Sequence, residues 1–343
     1  MKKFLAVLLA LSLLLCLCAC RNKTDDTENG AATADTSLPD KITIALDWTP
    51  NTNHTGLYVA QEKGYFKDAG LNVEIVYLGE DVSPAQLCSL GQVQFTIDAQ
   101  DTIASGFALE EPLNVTAVAA LLQHNTSGII SRKGDGITSP KGMEGKIYSS
   151  WDLPVELAML ESLVTSDGGD WSKVKCIPNS VFDEPTALGE KTTDAIWVFY
   201  GWACINAEVR GFDFDYFAFR DIDPTFDYYT PILIGNNDFL AQYPEATKTL
   251  LAAIGKGYQY ASEHPDEAAD ILIASDNTGA LDGAEALVKA SQAWIADQYI
   301  ADAPKWGYID AARWDAFYDW LNENDLVERA LPHGTGFTND YLG

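Results

Sequence analysis

Two short stretches concentrate side chains suited to holding a small molecule. The first is Asp47-Trp48-Thr49-Pro50-Asn51-Thr52-Asn53-His54-Thr55-Gly56-Leu57-Tyr58, which sets two aromatic rings among many hydrogen-bonding groups in one turn. Trp48 stands just past an apolar run and beside Pro50, so burying it in a core would take Asp47 and Asn51 out of water with it. A ligand wall is the better reading. Asn51 and Asn53 suit the backbone bonds of a turn; one is expected to cap the next helix while the other reaches the ligand. His54 reads either as a ligand contact or as a turn histidine satisfied by its neighbours. The second stretch is Trp197 with Tyr200-Gly201-Trp202, where the glycine permits close backbone approach. Such faces sandwich a flat heterocycle, at about 0.5–1.5 kcal/mol beyond area for a good ring pair. Core packing competes for these rings, since the chain holds nine Trp and fifteen Tyr, and two of the three are expected at the ligand.

Asp98, Gln123, Glu156, Glu208 and Asp227 are the polar candidates. A carboxylate accepts two N–H bonds from an amino-substituted ring, which supplies orientation as well as energy. Glu208, beside Arg210, reads as a surface charge. Glu156, in the first turn after Ser149-Ser150-Trp151, either complements the helix dipole or contacts ligand. There is no phosphate-loop glycine pattern, no paired metal motif and no serine in a nucleophile elbow. Cys204 lacks a histidine partner. The residues therefore speak for recognition, with no cofactor, rather than catalysis.

The elements that must position these groups alternate between strand and helix. Ile42, Ile44 and Leu46 mark a strand leading into the first stretch, and Leu57 to Lys63 a helix closed by Gly64. Further strands are read at Leu71 to Leu78, Phe95 to Asp98 and Val115 to Leu121. Ser83-Pro84 starts a helix that Gly91 stops. These strands end in polar residues, which suggests one edge of a parallel sheet carrying the site. The pattern restarts at Gly128, with strands at Lys146 to Ser149, Val174 to Ile177 and Ala195 to Phe199 and a helix from Pro154 to Val164. Asp227 to Ile234 is an extended crossing, and the chain past Asn237 is mostly helical. The expected fold is α/β and two-lobed, with parallel or mixed sheets. Residues 41–124 plus 235–343 form one lobe, 125–234 the other, and two extended crossings make the hinge.

With 343 residues, two lobes are the default expectation. Lys2 and Lys3, the apolar run Phe4 to Leu17, and Cys18-Ala19-Cys20 describe a signal peptide over 1–19. Leu17-Cys18-Ala19-Cys20 resembles a bacterial lipobox, with lipid on Cys20, and residues 20–40 are too polar to bury themselves and read as a tether. Of six cysteines, Cys88, Cys176 and Cys204 remain in the body. They read as small buried apolar residues, with one disulfide left open and no metal-type spacing. Fifty acidic against 22 basic residues give a net charge of −28, which excludes nucleic acid as a partner.

Leu46 to Ala60, Lys63-Gly64-Tyr65-Phe66, Gln123-His124-Asn125-Thr126-Ser127-Gly128, Tyr200-Gly201-Trp202 and Asp227-Tyr228-Tyr229-Thr230-Pro231 resemble the solute-binding lipoproteins related to the yeast thiamin-pyrimidine synthase. Within that family the likeness is greatest to ABC-importer receptors for thiamin-pyrimidine precursors such as formylaminopyrimidine. The resemblance implies a periplasmic-binding-protein fold of type II and a monomer anchored outside the cell by its lipid. It also implies a membrane permease with a separate ATPase as partner. By position it puts Trp48, Asn51, Trp151, Tyr200 and Tyr229 on the cleft. With the residue-based candidates the expected ligand set is Trp48, Asn51, His54, Asp98, Gln123, Ser150, Trp151, Glu156, Trp197, Tyr200, Trp202 and Tyr229. Two departures stand out: Ala203 follows Tyr-Gly-Trp where such receptors often carry an acid, and Ser149 and Ser150 replace glycines before Trp151. The synthase relatives use a cysteine-rich run and a histidine, whereas the corresponding segments here read Phe226-Asp227-Tyr228-Tyr229-Thr230 and Asp98 with Gln100. Riboflavin or a sulfonate is the alternative ligand, the sulfonate disfavoured because it wants Arg or Lys near the cleft and the segments at 46–60, 123–128, 200–202 and 227–231 carry none.

Overall fold

The computed structural model describes residues 38–79 and 82–343. The signal peptide, the Cys20 lipidation site and most of the tether lie outside the described residues. The strands are β1 (Ile42–Leu46), β2 (Val73–Tyr77), β3 (Phe95–Asp98), β4 (Val115–Ala120), β5 (Ser127–Arg132), β6 (Ile147–Ser150), β7 (Lys175–Pro178), β8 (Ala195–Phe199), β9 (Phe214–Ala218) and β10 (Ile232–Asn236). They form two five-stranded sheets, ordered β2-β1-β3-β10-β4 and β7-β6-β8-β5-β9. In each sheet the first three strands run parallel, and the fourth opposes both of its neighbours. The sheets are therefore mixed: β1, β2, β3 and β4 run in one direction, so that their ends fall at one edge as the strand ends suggested, and β10 is inserted against them. The fourth strand is in each case the one that follows a crossing: β5 after the chain leaves the first sheet, β10 after it returns. This is the two-lobed α/β fold that the resemblance implies.

β1 is buried along its whole length, with Ile42, Ile44 and Leu46 in one core and Ala45 in another beside Ala85, Cys88, Ile103 and Ala104. The helix Thr55–Glu62 covers the first of these cores; the helices Pro244–Glu263 and Glu285–Ile295 of the tail complete the cover. Ile42, Ile44, Leu57, Val59, Leu250, Ile254, Tyr258, Val288 and Tyr299 share one apolar core. The first and last thirds of the chain are thus held together by burial. Glycines set the closeness of the approach. A Cβ at Gly56 would fall 2.3 Å from the Tyr258 ring, and one at Gly257 would fall 2.0 Å from the Gly56 carbonyl oxygen.

The chain passes between the sheets twice, over residues 121–126 and 227–231, and the two passages are laced to each other. Leu121 N–H donates to the Pro231 carbonyl at 3.0 Å. Asp227 accepts from Asn125 N–H at 2.9 Å, and its other oxygen lies 2.7 Å from His124 Nδ1. Arg313, from the helix Ala311–Glu323, sits 3.6 Å from the same carboxylate. Cys88 and Cys204 are buried as anticipated, but Cys176 is exposed on edge strand β7, and all three are free thiols.

Gly257→Ala tests the helix crossing. Helix propensity alone favours alanine by about 1 kcal/mol, while an overpacked contact costs about 1–3 kcal/mol or more. We expect a net loss of about 2 kcal/mol in urea unfolding; a variant more stable than the parent would show that the helices do not meet at these glycines.

Candidate functional site

The turn after β1 is built from its own polar groups. Asn51 caps the short helix Thr52–His54, its Oδ1 accepting from Asn53 N–H at 2.9 Å while its Nδ2 donates to the Thr49 carbonyl. His54 is fully buried behind this cap. Its Nδ1 accepts from Asn51 N–H at 3.3 Å, so the ring proton sits on Nε2, which is 2.8 Å from Asp47 Oδ1. The tail then fixes the turn from outside. Tyr299 OH donates to the Thr52 carbonyl at 2.6 Å and Tyr258 OH to the Asn53 carbonyl at 2.7 Å. Trp48 is left 37% exposed at the rim.

The second sheet supplies the facing wall. β8 delivers Trp197, and a wide helical turn, Tyr200–Cys204, carries Trp202. Trp151 follows β6, and its ring leans on Trp197 with centroids 5.7 Å apart. Glu156 holds that segment in place by accepting from Tyr148 OH, Ser150 Oγ, Trp151 N–H and Leu153 N–H. Its carboxylate is the reason Trp151 projects as it does, 42% exposed.

Between these walls lies a cavity of about 340 Å³ lined by Asp47, Trp48, Asn51, Asn53, Trp151, Val181, Phe182, Glu184, Trp197, Val198, Phe199, Trp202, Ala203 and Asn206. The size suits one small ring system. No Lys, Arg or His is among the lining residues. Among the described residues, the side-chain amides of Asn53 and Asn206 and the second oxygen of Asp47 have no hydrogen-bond partner within the protein. The indole N–H of the buried Trp197 also lacks an acceptor. Burial pushes the Glu184 carboxyl above its usual range; its own backbone N–H opposes the rise, the Asp183 charge adds to it, and the Arg210 charge again opposes it.

Five of the twelve expected ligand residues line this cavity: Trp48, Asn51, Trp151, Trp197 and Trp202. Three more stand behind the lining. His54 orients Asp47, and Ser150 and Glu156 orient Trp151. The other four are placed elsewhere. Gln123 belongs to the first crossing, its amide donating to the Tyr308 carbonyl at 3.1 Å. Tyr229 belongs to the second, buried against Trp314, with its hydroxyl accepting from Asp310 N–H at 2.8 Å. Tyr200 faces away and stacks on Trp294, centroids 5.0 Å apart, its hydroxyl donating to Glu208. Asp98 sits just before the cap of the helix Gln100–Phe107, accepting from Ala99 N–H at 2.7 Å and from the Thr102 hydroxyl.

Phe182, Glu184 and Asn206 escaped the reading from sequence. The one available signal was Asp183-Glu184-Pro185, a cap followed by a proline in the first turn, which starts the helix Glu184–Gly189 after β7. Glu208 and Asp227 are not cavity residues; they bind Tyr200 and the hinge respectively.

The two walls also touch directly. Ser291, on the helix Glu285–Ile295, is 2.6 Å from the Thr52 hydroxyl and donates to the Gly201 carbonyl. A Cβ on Gly201 would fall 2.9 Å from the Trp294 ring, so the glycine is what allows this turn to seat.

A family model described as NMT1/THI5 like matches residues 51–268. Over 99% of both chains the protein is 26% identical to the formylaminopyrimidine-binding protein of Halalkalibacterium halodurans. It is 28% identical to a 4-amino-5-hydroxymethyl-2-methylpyrimidine phosphate synthase of Candida albicans, over 66% of this chain and 69% of that one. Among solved structures, the periplasmic aliphatic sulphonate binding protein of Escherichia coli shares the fold at a TM-score of 0.66 and 12% identity, covering 85% of this chain and 90% of that one.

Asp98 makes the site region sensitive to pH. Burial, reinforced by Asp47 and Asp101 against the two hydrogen bonds that oppose it, pushes its carboxyl up to about 7. A raised carboxyl favours the protonated fold, so its contribution is complete below the ordinary carboxyl range and is lost as pH rises toward 7. Urea midpoints should therefore move in favour of Asp98→Asn over the wild type across this window, by on the order of 1 kcal/mol. A pH-independent gap would place Asp98 in water.

Proposed function

The chain belongs to the NMT1/THI5-like family, and from that premise we propose that it is the extracytoplasmic solute-binding receptor of an ABC importer. Its ligand on this reading is a small flat nitrogen heterocycle of the thiamin-pyrimidine precursor type, such as formylaminopyrimidine. The observation that carries the reading is the cavity, with Trp48 presented by the first sheet and Trp151, Trp197 and Trp202 by the second. Indole faces give area and stacking, and the unpartnered amides and carboxylates give orientation. The relative from Halalkalibacterium halodurans, named for formylaminopyrimidine, aligns along the whole chain and supports the same ligand class. A sulfonate is the poorer candidate, because an anion would meet Asp47 and Glu184 and no cationic side chain among the lining residues.

In this account residues 41–124 with 235–343 form one lobe and 125–234 the other, turning about the two laced crossings. Ligand bridging Trp48 to the opposite wall favours the closed arrangement, since binding energy differs between open and closed states. The lipid on Cys20 keeps the monomer at the membrane, where a permease with its own ATPase receives the ligand. The protein performs no chemistry on it.

Calorimetric titration tests this reading. Formylaminopyrimidine should bind with one-to-one stoichiometry, and Trp48→Ala and Trp151→Ala should each weaken binding by about 10- to 100-fold. Both rings are exposed at the rim, so the thermal transition of the ligand-free variants should stay close to the parent's. Absence of heat with the pyrimidine but heat with riboflavin would reassign the ligand, and turnover during the same incubation would overturn the receptor reading.

A further inference from the structure

We propose that the cavity selects its ligand as a cation, with the Glu184 carboxylate as the counter-ion and Asp47 as a second anion across the cleft. The inference rests on the cavity being the ligand site and adds the charge of what enters it.

Glu184 is the acid whose surroundings require explanation. The nearest guanidinium is already committed, since Arg210 pairs with the Asp183 carboxylate and donates to Thr186 Oγ1 at 3.1 Å. Glu184 is left without an ion pair among the described residues, yet it is half-buried and lines a cavity walled by indoles. Its burial already favours holding a proton. A desolvated carboxylate without a cation is costly, and a cationic ligand relieves that cost.

Asp47 points the same way. His54 donates to it from Nε2 while Nδ1 accepts from Asn51 N–H, so the imidazole is held as the neutral tautomer and the Asp47 charge is oriented rather than cancelled. The four tryptophans add their own preference, because the face of an indole attracts a cation electrostatically. An aminated ring protonated at the neighbouring nitrogen presents two parallel N–H groups, which match the two oxygens of a carboxylate. The proton count is the same whether the proton arrives on Glu184 or on the ring. The plain alternative is that Glu184 merely complements the dipole of the helix it begins. A carboxylate in that role would not make binding depend on ligand charge.

The test compares 1-methylpyridinium with toluene, one shape with and without charge, by tryptophan fluorescence on the mature protein, alongside formylaminopyrimidine. The wild type should bind the cation at least about tenfold more tightly than toluene. Glu184→Gln should shrink that ratio about fivefold or more, with its thermal transition retained as the check on folding. Glu208→Gln, an acid of the same sheet's half that bonds Tyr200 and does not line the cavity, should keep the ratio. Equal binding of the two probes, binding of neither, or a ratio unchanged in Glu184→Gln would overturn the inference. If formylaminopyrimidine fails to bind while the charge preference holds, the assigned ligand falls and this inference stands. If it binds and no preference appears, the reverse is true.

Discussion

A buried imidazole governs the geometry of the cleft. His54 joins Asn51 to Asp47 in one line of hydrogen bonds, so the cap of a short helix and the orientation of a cavity carboxylate are a single structure. The ring is wholly buried, so its bond to Asn51 N–H is shielded from water, while the Asp47 end of the line opens to the cavity. The tail extends this brace. Tyr258 and Tyr299 hold the two carbonyls that the turn would otherwise leave open, and Ser291 carries the contact across to Gly201 in the opposite wall. The position of Trp48 thus depends on residues more than 200 positions further along the chain, so the helical tail takes part in shaping the cavity wall.

Much of the architecture was legible because burial writes a clear pattern. Strands such as Ile42–Leu46 and Ala195–Phe199 are buried nearly throughout and bounded by polar turns, so their positions were readable to within a residue or two. Phe214–Ala218 went unread. It is an edge strand whose residues are mostly only half-buried, and the alternation that marks a strand is correspondingly weak. The tail's return to the first sheet rests on long-range packing, which local pattern suggests but does not determine.

The site was legible in part and for a definable reason. Strand ends locate the crevice and aromatic residues there are good candidates; of these, Trp48, Trp151, Trp197 and Trp202 line the cavity. Strand ends do not say which way a side chain faces. Tyr200 and Tyr229 have the right type and place but turn toward Trp294 and Trp314. Glu156 and His54 turned out to shape the site from behind, since each spends its hydrogen bonds on the chain itself. Glu184 and Asn206 reach the cavity from segments with no local mark of function, and only the assembled second sheet brings them to it. The same fold elsewhere holds sulphonates, so the architecture does not dictate the ligand. The cavity lining here combines indoles with acids and includes no Lys, Arg or His.

The most direct test of the central account is equilibrium dialysis of the protein against formylaminopyrimidine, with the bound material released by denaturation and identified by mass spectrometry. Capture by a two-walled receptor predicts about one equivalent retained per chain, chemically unchanged. Recovery of a converted product, or retention no greater than that of a protein lacking the four cavity tryptophans, would contradict it.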